Sequence, residues 1–502
     1  MNEIPEIGII TTKSISLTPK EGNREPIIAK YAPRSFINAV GLANPGVDEF
    51  IAKISKINIP KDKFLLVSIF GNKVEDFEQL AKKLYKYADG FELNISCPHS
   101  SLYGQVVGQD MSLVTKIVKT VSDFGKPTLV KVSPSLKIKD TVKHALLGGA
   151  AGFVAINTKG PEPFTFDNHP ILYNKVGGIS GKFIKKLGLK CIREIRKYSS
   201  LPIIACGGIF NSPDLLAYQK AGANYFGIGS ALALMDSNTL KKYFHTLLLD
   251  FQKNTNNANK LIAKKLNMDY KKFKIVENQK LTSDVYYLKL NKKFILKPGQ
   301  FIFAWLPDKG EKPFSLFDNK PASLLIRERG CFTKELIKLK SGDTLYLRGP
   351  LGNSPKTKGK ILLYGGGCGI AALFLFAKKY KNTIALFGAR NKDHLTYLNK
   401  FNKYCKKIVI ATDDGSFGHH GFAQDLLEDL IKREKPTTII NCGPEIMMEN
   451  AIKIEKKYLK PENILSSIEY LTKCGIGICG RCATKKGYRS CVDGTFLTPD
   501  QI

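Results

Sequence analysis

From about residue 8 to residue 232, short apolar runs alternate with amphipathic stretches. The runs are IGIITTKSIS, beginning near residue 8, then FLLVSIFG (64–71), FELNISC (91–97), TLVKVSP (128–134), GFVAINT (152–158), PIIACGGI (202–209) and YFGIGSAL (225–232). Between most of them lie stretches of helical pattern such as VEDFEQLAKKLYKYA. This rhythm predicts an α/β fold with a parallel sheet and right-handed crossovers. Seven strands with polar or Gly-rich ends favour a TIM (β/α)8-type barrel, and a doubly wound open sheet is the alternative.

The pattern then changes. DFQKNTNNANK (250–260) is polar and Asn-rich and reads as a helix end or linker. Beyond residue 268, KFKIVENQKLTSDVYYLKL and SGDTLYLRGPLG alternate apolar and polar positions, which predicts a small antiparallel β-barrel. From Lys360, ILLYGGGCGIAALFLFAKKY, TIALFGAR, KIVIATDD and TTIINCGPEIM restore the strand–helix rhythm of a second α/β unit. The expected boundaries are 1–255 for the first barrel, 256–267 for a linker, 268–358, 359–460, and 461–502 for a Cys-rich end.

Composition narrows the class. A chain of 502 residues is too long for one ordinary core. Its 43% hydrophobic and 24% charged residues are those of a globular protein. The formal charge of +33 comes from lysines spread along the whole chain, so it reads as a solvated surface, with no nucleic acid as partner. No apolar run reaches bilayer length, and MNEIPEIGIITTKS lacks the basic and apolar regions of a signal peptide. A cytoplasmic location with no membrane partner is expected, and the eleven cysteines are then metal ligands or catalytic groups rather than disulfides.

Four of those cysteines lie in KCGIGICGRCATKKGYRSCVDG, spaced Cys474-x4-Cys479-x2-Cys482-x8-Cys491. Gly475, Gly477 and Gly480 separate the first three and let the backbone wrap closely. C-x4-C-x2-C with a distant fourth cysteine is the plant-type [2Fe–2S] spacing. Zinc is the alternative, and the x4 spacing fits it poorly. Upstream, GGGCGIA (365–371) follows an apolar strand and opens a helix, a place suited to a phosphate.

KPFSLFD (312–318), GCFTKEL (330–336), RGPLGN (348–353), GGGCGIA and CGPEIMM (442–448) occur in that order. The order resembles the ferredoxin-reductase family. With the terminal cysteines, residues 268–502 resemble the electron-transfer subunit of NAD-linked dihydroorotate dehydrogenases. The resemblance implies FAD on Lys312, Pro313, Phe314, Ser315, Gly330, Phe332 and Thr333. Lys312 stands where the family usually has Arg, whose planar fork it lacks. The resemblance further implies NAD⁺ on Gly366, Gly367, Gly369, Cys442, Gly443 and Pro444.

In the first half, TKS (12–14), NAVGLAN (38–44), ELNISCPH (92–99), KVSP (131–134), INT (156–158), GGISG (177–181), CGGI (206–209) and IGS (228–230) fall at strand ends or loops. Together they resemble class 1 dihydroorotate dehydrogenases over almost all of residues 1–250. The resemblance implies FMN, held by Lys13, Ser14, Asn94, Lys131, Ile156, Gly181, Cys206, Gly207, Gly208, Gly229 and Ser230, with the Cys206 side chain read as packing. It implies dihydroorotate on Lys13, Asn38, Gly41, Leu42, Asn94, His99, Asn157 and Thr158, and Cys97 as the base. His99 stands where many relatives have Asn, and SCPH also occurs in dihydropyrimidine dehydrogenases. A dihydrouracil or dihydrothymine oxidoreductase is therefore one alternative. Only MNEIPEIG precedes the TKS strand, so the family's first barrel strand is expected to be missing. An NADH-linked electron-transfer protein with a non-catalytic barrel is thus the second alternative. The leading expectation is a fusion of catalytic and electron-transfer subunits, working as a homodimer or higher homo-oligomer.

Overall fold

The computed structural model describes residues 1–95, 105–263, 266–395, 398–468 and 470–502. The chain divides into two compact units, Met1–Leu266 and Asn267–Ile502.

Each of the seven apolar runs of the first unit supplies one strand of a parallel sheet: Ile9–Thr11, Phe64–Ile69, Gly90–Asn94, Thr128–Val132, Gly152–Ala155, Ile203–Cys206 and Tyr225–Gly227. Their order in the sheet is their order in the chain. A doubly wound sheet reverses order at a switch point, whereas this sheet steps always to the same side. It curls, so that residues of its first and last strands line one cavity. Ile9–Thr11 and Tyr225–Gly227 are the two ends of the sheet.

Helices cover its outer face. In Val74–Leu84 the buried residues are Phe77, Leu80, Ala81 and Leu84, the i, i+3, i+4, i+7 stripe of an amphipathic helix. Glu75 and Asp76 in its first turn and Lys82 and Lys83 in its last complement the helix dipole. The apolar pattern did not announce a four-stranded antiparallel sheet in this unit, ordered Ile28–Ala32, Ser35–Asn38, Val176–Gly181 and Lys159–Pro163. Gly181 ends one of its strands with φ 90°, and a Cβ there would collide with the Arg34 carbonyl oxygen.

The second unit begins with a seven-stranded antiparallel sheet that runs from Gly310–Phe314 through Phe301–Leu306, Thr344–Leu351, Lys271–Lys280, Val285–Leu290 and Ala322–Arg327 to Asp318–Asn319. It continues in a six-stranded parallel sheet. Ile361–Gly366 is central there, with Thr383–Ala389 and Lys407–Thr412 outward on one side and Thr438–Cys442 and Ile464–Ser466 on the other. Strand order therefore reverses beside Ile361–Gly366, which places a ligand crevice outside its carboxyl end. Among the described residues, no helix is long and apolar enough to cross a membrane.

Candidate functional site

The curled sheet of the first unit encloses a cavity of about 1010 Å³. Its polar wall comes from strand ends. Lys131, Asn157, Thr158, Gly181, Cys206 and Gly207 line it, joined by Ile156, Gly208, Gly229 and Ser230. Parallel strands bring these residues together because their carboxyl ends share one rim.

Hydrogen bonds tie two of the remaining expected residues, Asn94 and Ser14, to this wall. The Asn157 side-chain amide donates to Asn94 Oδ1 at 3.4 Å, and Asn94 Nδ2 donates to Ser14 Oγ at 2.9 Å. Ser14 and Ser68 hydroxyls lie 2.8 Å apart, and Ser68 donates to Glu92 Oε1 at 2.8 Å. Lys131 Nζ closes the series on the Glu92 carboxylate at 3.4 Å. Burial pulls the Lys131 pKa down, but the adjacent Glu92 carboxylate outweighs it and holds the pKa above the ordinary lysine value. Burial pushes the Cys206 thiol up to about 11, so it stays protonated at neutral pH and fits the packing role expected of it.

Around the glycine loop, Tyr218 Oη donates to the Gly207 carbonyl at 2.6 Å, and Asp214 accepts from the Phe210 amide at 2.8 Å. Asn157 Oδ1 accepts from the Thr158 amide, also at 2.9 Å. The cavity does not include every expected residue. Lys13 is exposed and does not line it. Asn38 donates to the Gly178 carbonyl at 3.1 Å within the small antiparallel sheet. Gly41 and Leu42 adopt successive left-handed conformations, φ 76° and 54°, also away from the cavity lining. Cys97 and His99 lie outside the described residues, just beyond Ile95.

In the second unit, Lys312, Pro313 and Phe314 end the Gly310–Phe314 strand, and Phe332 packs on Phe314 with ring centroids 6.3 Å apart. The Thr333 hydroxyl accepts from the Gly330 amide at 3.0 Å and the Arg329 amide at 2.9 Å, and so shapes that loop. Gly366, Gly367 and Gly369 sit at the switch point. A Cβ on Gly369 would collide with the Cys442 carbonyl, so glycine lets the 366–369 and 442–444 loops touch.

Cys474, Cys479, Cys482 and Cys491 are all buried, and none is in a disulfide. Among the described residues, no group of three or more His, Cys, Asp or Glu side chains is arranged so that it could hold a metal ion. The four thiols instead touch in series: Cys474 meets Cys479 and Cys491, and the Cys482 and Cys491 sulfurs lie 3.3 Å apart. The Ile476 amide points at Cys474 Sγ at 3.5 Å, the Cys479 amide also at Cys474, and the Arg481 amide at Cys479. Four soft donors with amides aimed at sulfur suit a thiolate-bound cluster. The segment leaves and rejoins the sheet at one point, because Ser466 and Leu497 exchange backbone hydrogen bonds at 2.8 and 3.0 Å.

Sequence reasoning missed two buried polar groups. One is Glu92 with Ser68; its only trace is a carboxylate inside an apolar strand. The other is Arg348, which grips Glu311 through two hydrogen bonds of 2.6 and 2.7 Å, both side chains fully buried. Tyr270 Oη donates to the same carboxylate at 2.6 Å, and Arg348 reaches the Cys474 carbonyl at 3.4 Å.

The family model described as dihydroorotate dehydrogenase matches residues 2–248. The chain is 38% identical to the catalytic subunit of dihydroorotate dehydrogenase B (NAD(+)) from Methanocaldococcus jannaschii, over 47% of this chain and 78% of that one. It is 40% identical to the probable electron transfer subunit of dihydroorotate dehydrogenase B (NAD(+)) from Pyrococcus horikoshii, over 45% of this chain and 89% of that one. The corresponding probable subunit from Thermococcus kodakarensis is 40% identical, over 46% of this chain and 98% of its own length. With a curled parallel sheet, a glycine-lined cavity at its strand ends and these matches, the chain belongs to the dihydroorotate dehydrogenase family.

Proposed function

We propose that this chain oxidises dihydroorotate to orotate in pyrimidine biosynthesis and passes the electrons to NAD⁺, as a fusion of the catalytic and electron-transfer subunits. The observation that carries the reading is the presence, in one chain, of likeness to both subunits at 38–40% identity, each over nearly half its length. The first unit is read as a (β/α)-type barrel, and the second as a FAD-binding barrel (268–358), a nucleotide domain (359–460) and a [2Fe–2S] segment (461–502). When bound, FMN supplies a hydride acceptor, the [2Fe–2S] cluster a one-electron carrier, and FAD an exchange between single electrons and hydride.

The chain's own residues do the rest. Glycines 207, 208 and 229 with Ser230 offer backbone amides to a phosphate. Lys131 places a fixed positive charge in the cavity, which favours an anionic reduced ring. Asn94 and Asn157 hold the pyrimidine, and the family resemblance adds Asn38 and Thr158. Cys97 takes the C5 proton on its sulfur as hydride leaves C6. Cys474, Cys479, Cys482 and Cys491 hold the cluster, Lys312–Ser315 with Gly330 and Thr333 the FAD, and the 366–369 and 442–444 loops NAD⁺.

A second reading has one observation behind it. The sheet ends at Ile9–Thr11 and Tyr225–Gly227 without pairing to each other, as a non-catalytic barrel in an electron-transfer protein would allow. Anaerobic mixing of the full chain with dihydroorotate, then NAD⁺, tests both. Bleaching of flavin and cluster absorbance followed by stoichiometric NADH supports the relay. Bleaching by NADH but not by dihydroorotate overturns it in favour of the second reading. A parallel mixing with dihydrouracil checks the substrate.

A further inference from the structure

Glu92 is a carboxylate with 2% of its side chain exposed, in the middle of a parallel sheet. Ser68 lies directly opposite it on the Phe64–Ile69 strand, and Lys131 is on the other neighbour, paired with Asn94. Burying a carboxylate costs several kcal/mol unless paired and hydrogen-bonded. Here one oxygen accepts from Ser68 at 2.8 Å, and Lys131 Nζ spans both oxygens at 3.4 and 3.5 Å. Through Ser68 the contact continues to Ser14 and Asn94, and from Asn94 to Asn157. One carboxylate, itself on the cavity lining, thus holds both a charged group there and a hydroxyl–amide series that ends at the cavity.

We propose that Glu92 is the positioning residue of this site: it aims and keeps charged the Lys131 ammonium, and it sets the Ser68–Ser14 hydroxyls that orient Asn94. This rests on the flavin reading of the cavity. Among the described residues, Glu92 and Cys206 are titratable groups that face Lys131, and Cys206 is a neutral thiol at pH 7. Removing the Glu92 charge therefore removes the largest influence that opposes burial, and burial favours neutral Lys131.

The test uses the full-length chain stripped of cofactors and reloaded with FMN alone. The flavin midpoint potential is read against pH for the wild type, Glu92→Gln, Glu92→Asp and Glu92→Gln/Lys131→Met. Glu92→Gln keeps an acceptor for both Ser68 and Lys131 while losing the charge. Its potential is expected to break downward as pH rises, where Lys131 discharges. The wild type and Glu92→Asp show no such break, and the double variant loses it. Wild-type and Glu92→Gln profiles that superpose from about pH 6 to 10, well below to near the ordinary lysine range, overturn the assignment. A wild-type chain that takes up no FMN overturns the flavin reading instead, so the two failures are distinct.

Discussion

Glu455→Gln tests the energetics of the nucleotide half. Glu455 closes the helix Glu445–Glu455 and is fully buried under the parallel sheet. Its Oε2 accepts from Asn441 Nδ2 at 2.9 Å, and that amide also reaches Ser466 Oγ at 3.1 Å. Among the described residues, Glu455 Oε1 and the buried Tyr364 hydroxyl have no hydrogen-bond partner. Burial pushes the Glu455 carboxyl from 4.5 up to about 8, and the Asn441 amide counters only part of that. The folded state therefore holds a proton that the unfolded chain has lost between these two values, and stability falls as pH rises through that window. At ~1.4 kcal/mol per pH unit, the loss is about 3 kcal/mol at pH 7 and about 5 kcal/mol above pH 8. Glutamine has the same shape and no proton to lose. Glu455→Gln should match the wild type near pH 4.5 and exceed it by about 3 kcal/mol at pH 7, a rise of roughly 6–12 °C in the midpoint of a unit this size. Trp305, the chain's one tryptophan, lies in the second unit, so its fluorescence follows that unit alone through thermal unfolding from pH 5 to 9. Parallel midpoint curves with a constant offset would refute the reasoning.

Four further outcomes are expected. Arg348→Met leaves the Glu311 carboxylate buried with the Tyr270 hydroxyl but without its cation, and should cost about 3–5 kcal/mol in urea unfolding followed by Trp305, with Arg348→Met/Glu311→Leu recovering most of the loss. Gly181→Ala forces a side chain into a left-handed conformation against the Arg34 carbonyl, costing over ~1 kcal/mol and lowering FMN content in the purified chain. Cys482→Ser should abolish bound iron and acid-labile sulfide while flavin content holds; retained iron would argue against the ligand set. Cys206→Ala should leave the pH profile of dihydroorotate-dependent bleaching unchanged, since the thiol, pushed up to about 11, does not ionise in the working range.

The seven parallel strands were legible because each lies in a short, mainly apolar run between turn signals. Their curl was legible only as a preference, since spatial order depends on which strand pairs with which. The small antiparallel sheet escaped because KGPEP and VGGISG carry proline and glycine and no alternation. Glycine loops were visible because close approach constrains local sequence, and the cysteine spacing because it lies within one short segment. The Glu92–Lys131 contact joins residues 39 positions apart, and the Arg348–Glu311 pair residues 37 apart. Single charges inside apolar strands mark such partners, but only the pairing of strands says which meets which. Cys97 and His99 lie beyond the described residues, so the sequence alone speaks for them.

The closure of the cysteine segment at Ser466 and Leu497 has a consequence for how damage spreads. Residues 467–496 form an excursion pinned at its neck, with Phe496 anchored against Phe376 at 5.1 Å. Ordering such a loop costs entropy that grows only with the logarithm of its length. Its backbone pairing to the parallel sheet is at that neck, so opening it there leaves the inner strands of that sheet paired. Oxidation that strips the sulfurs should then appear in amide hydrogen exchange as lost protection confined to this excursion. The rest of the unit would keep its slow amides, ready to be rebuilt around a repaired centre rather than degraded and replaced.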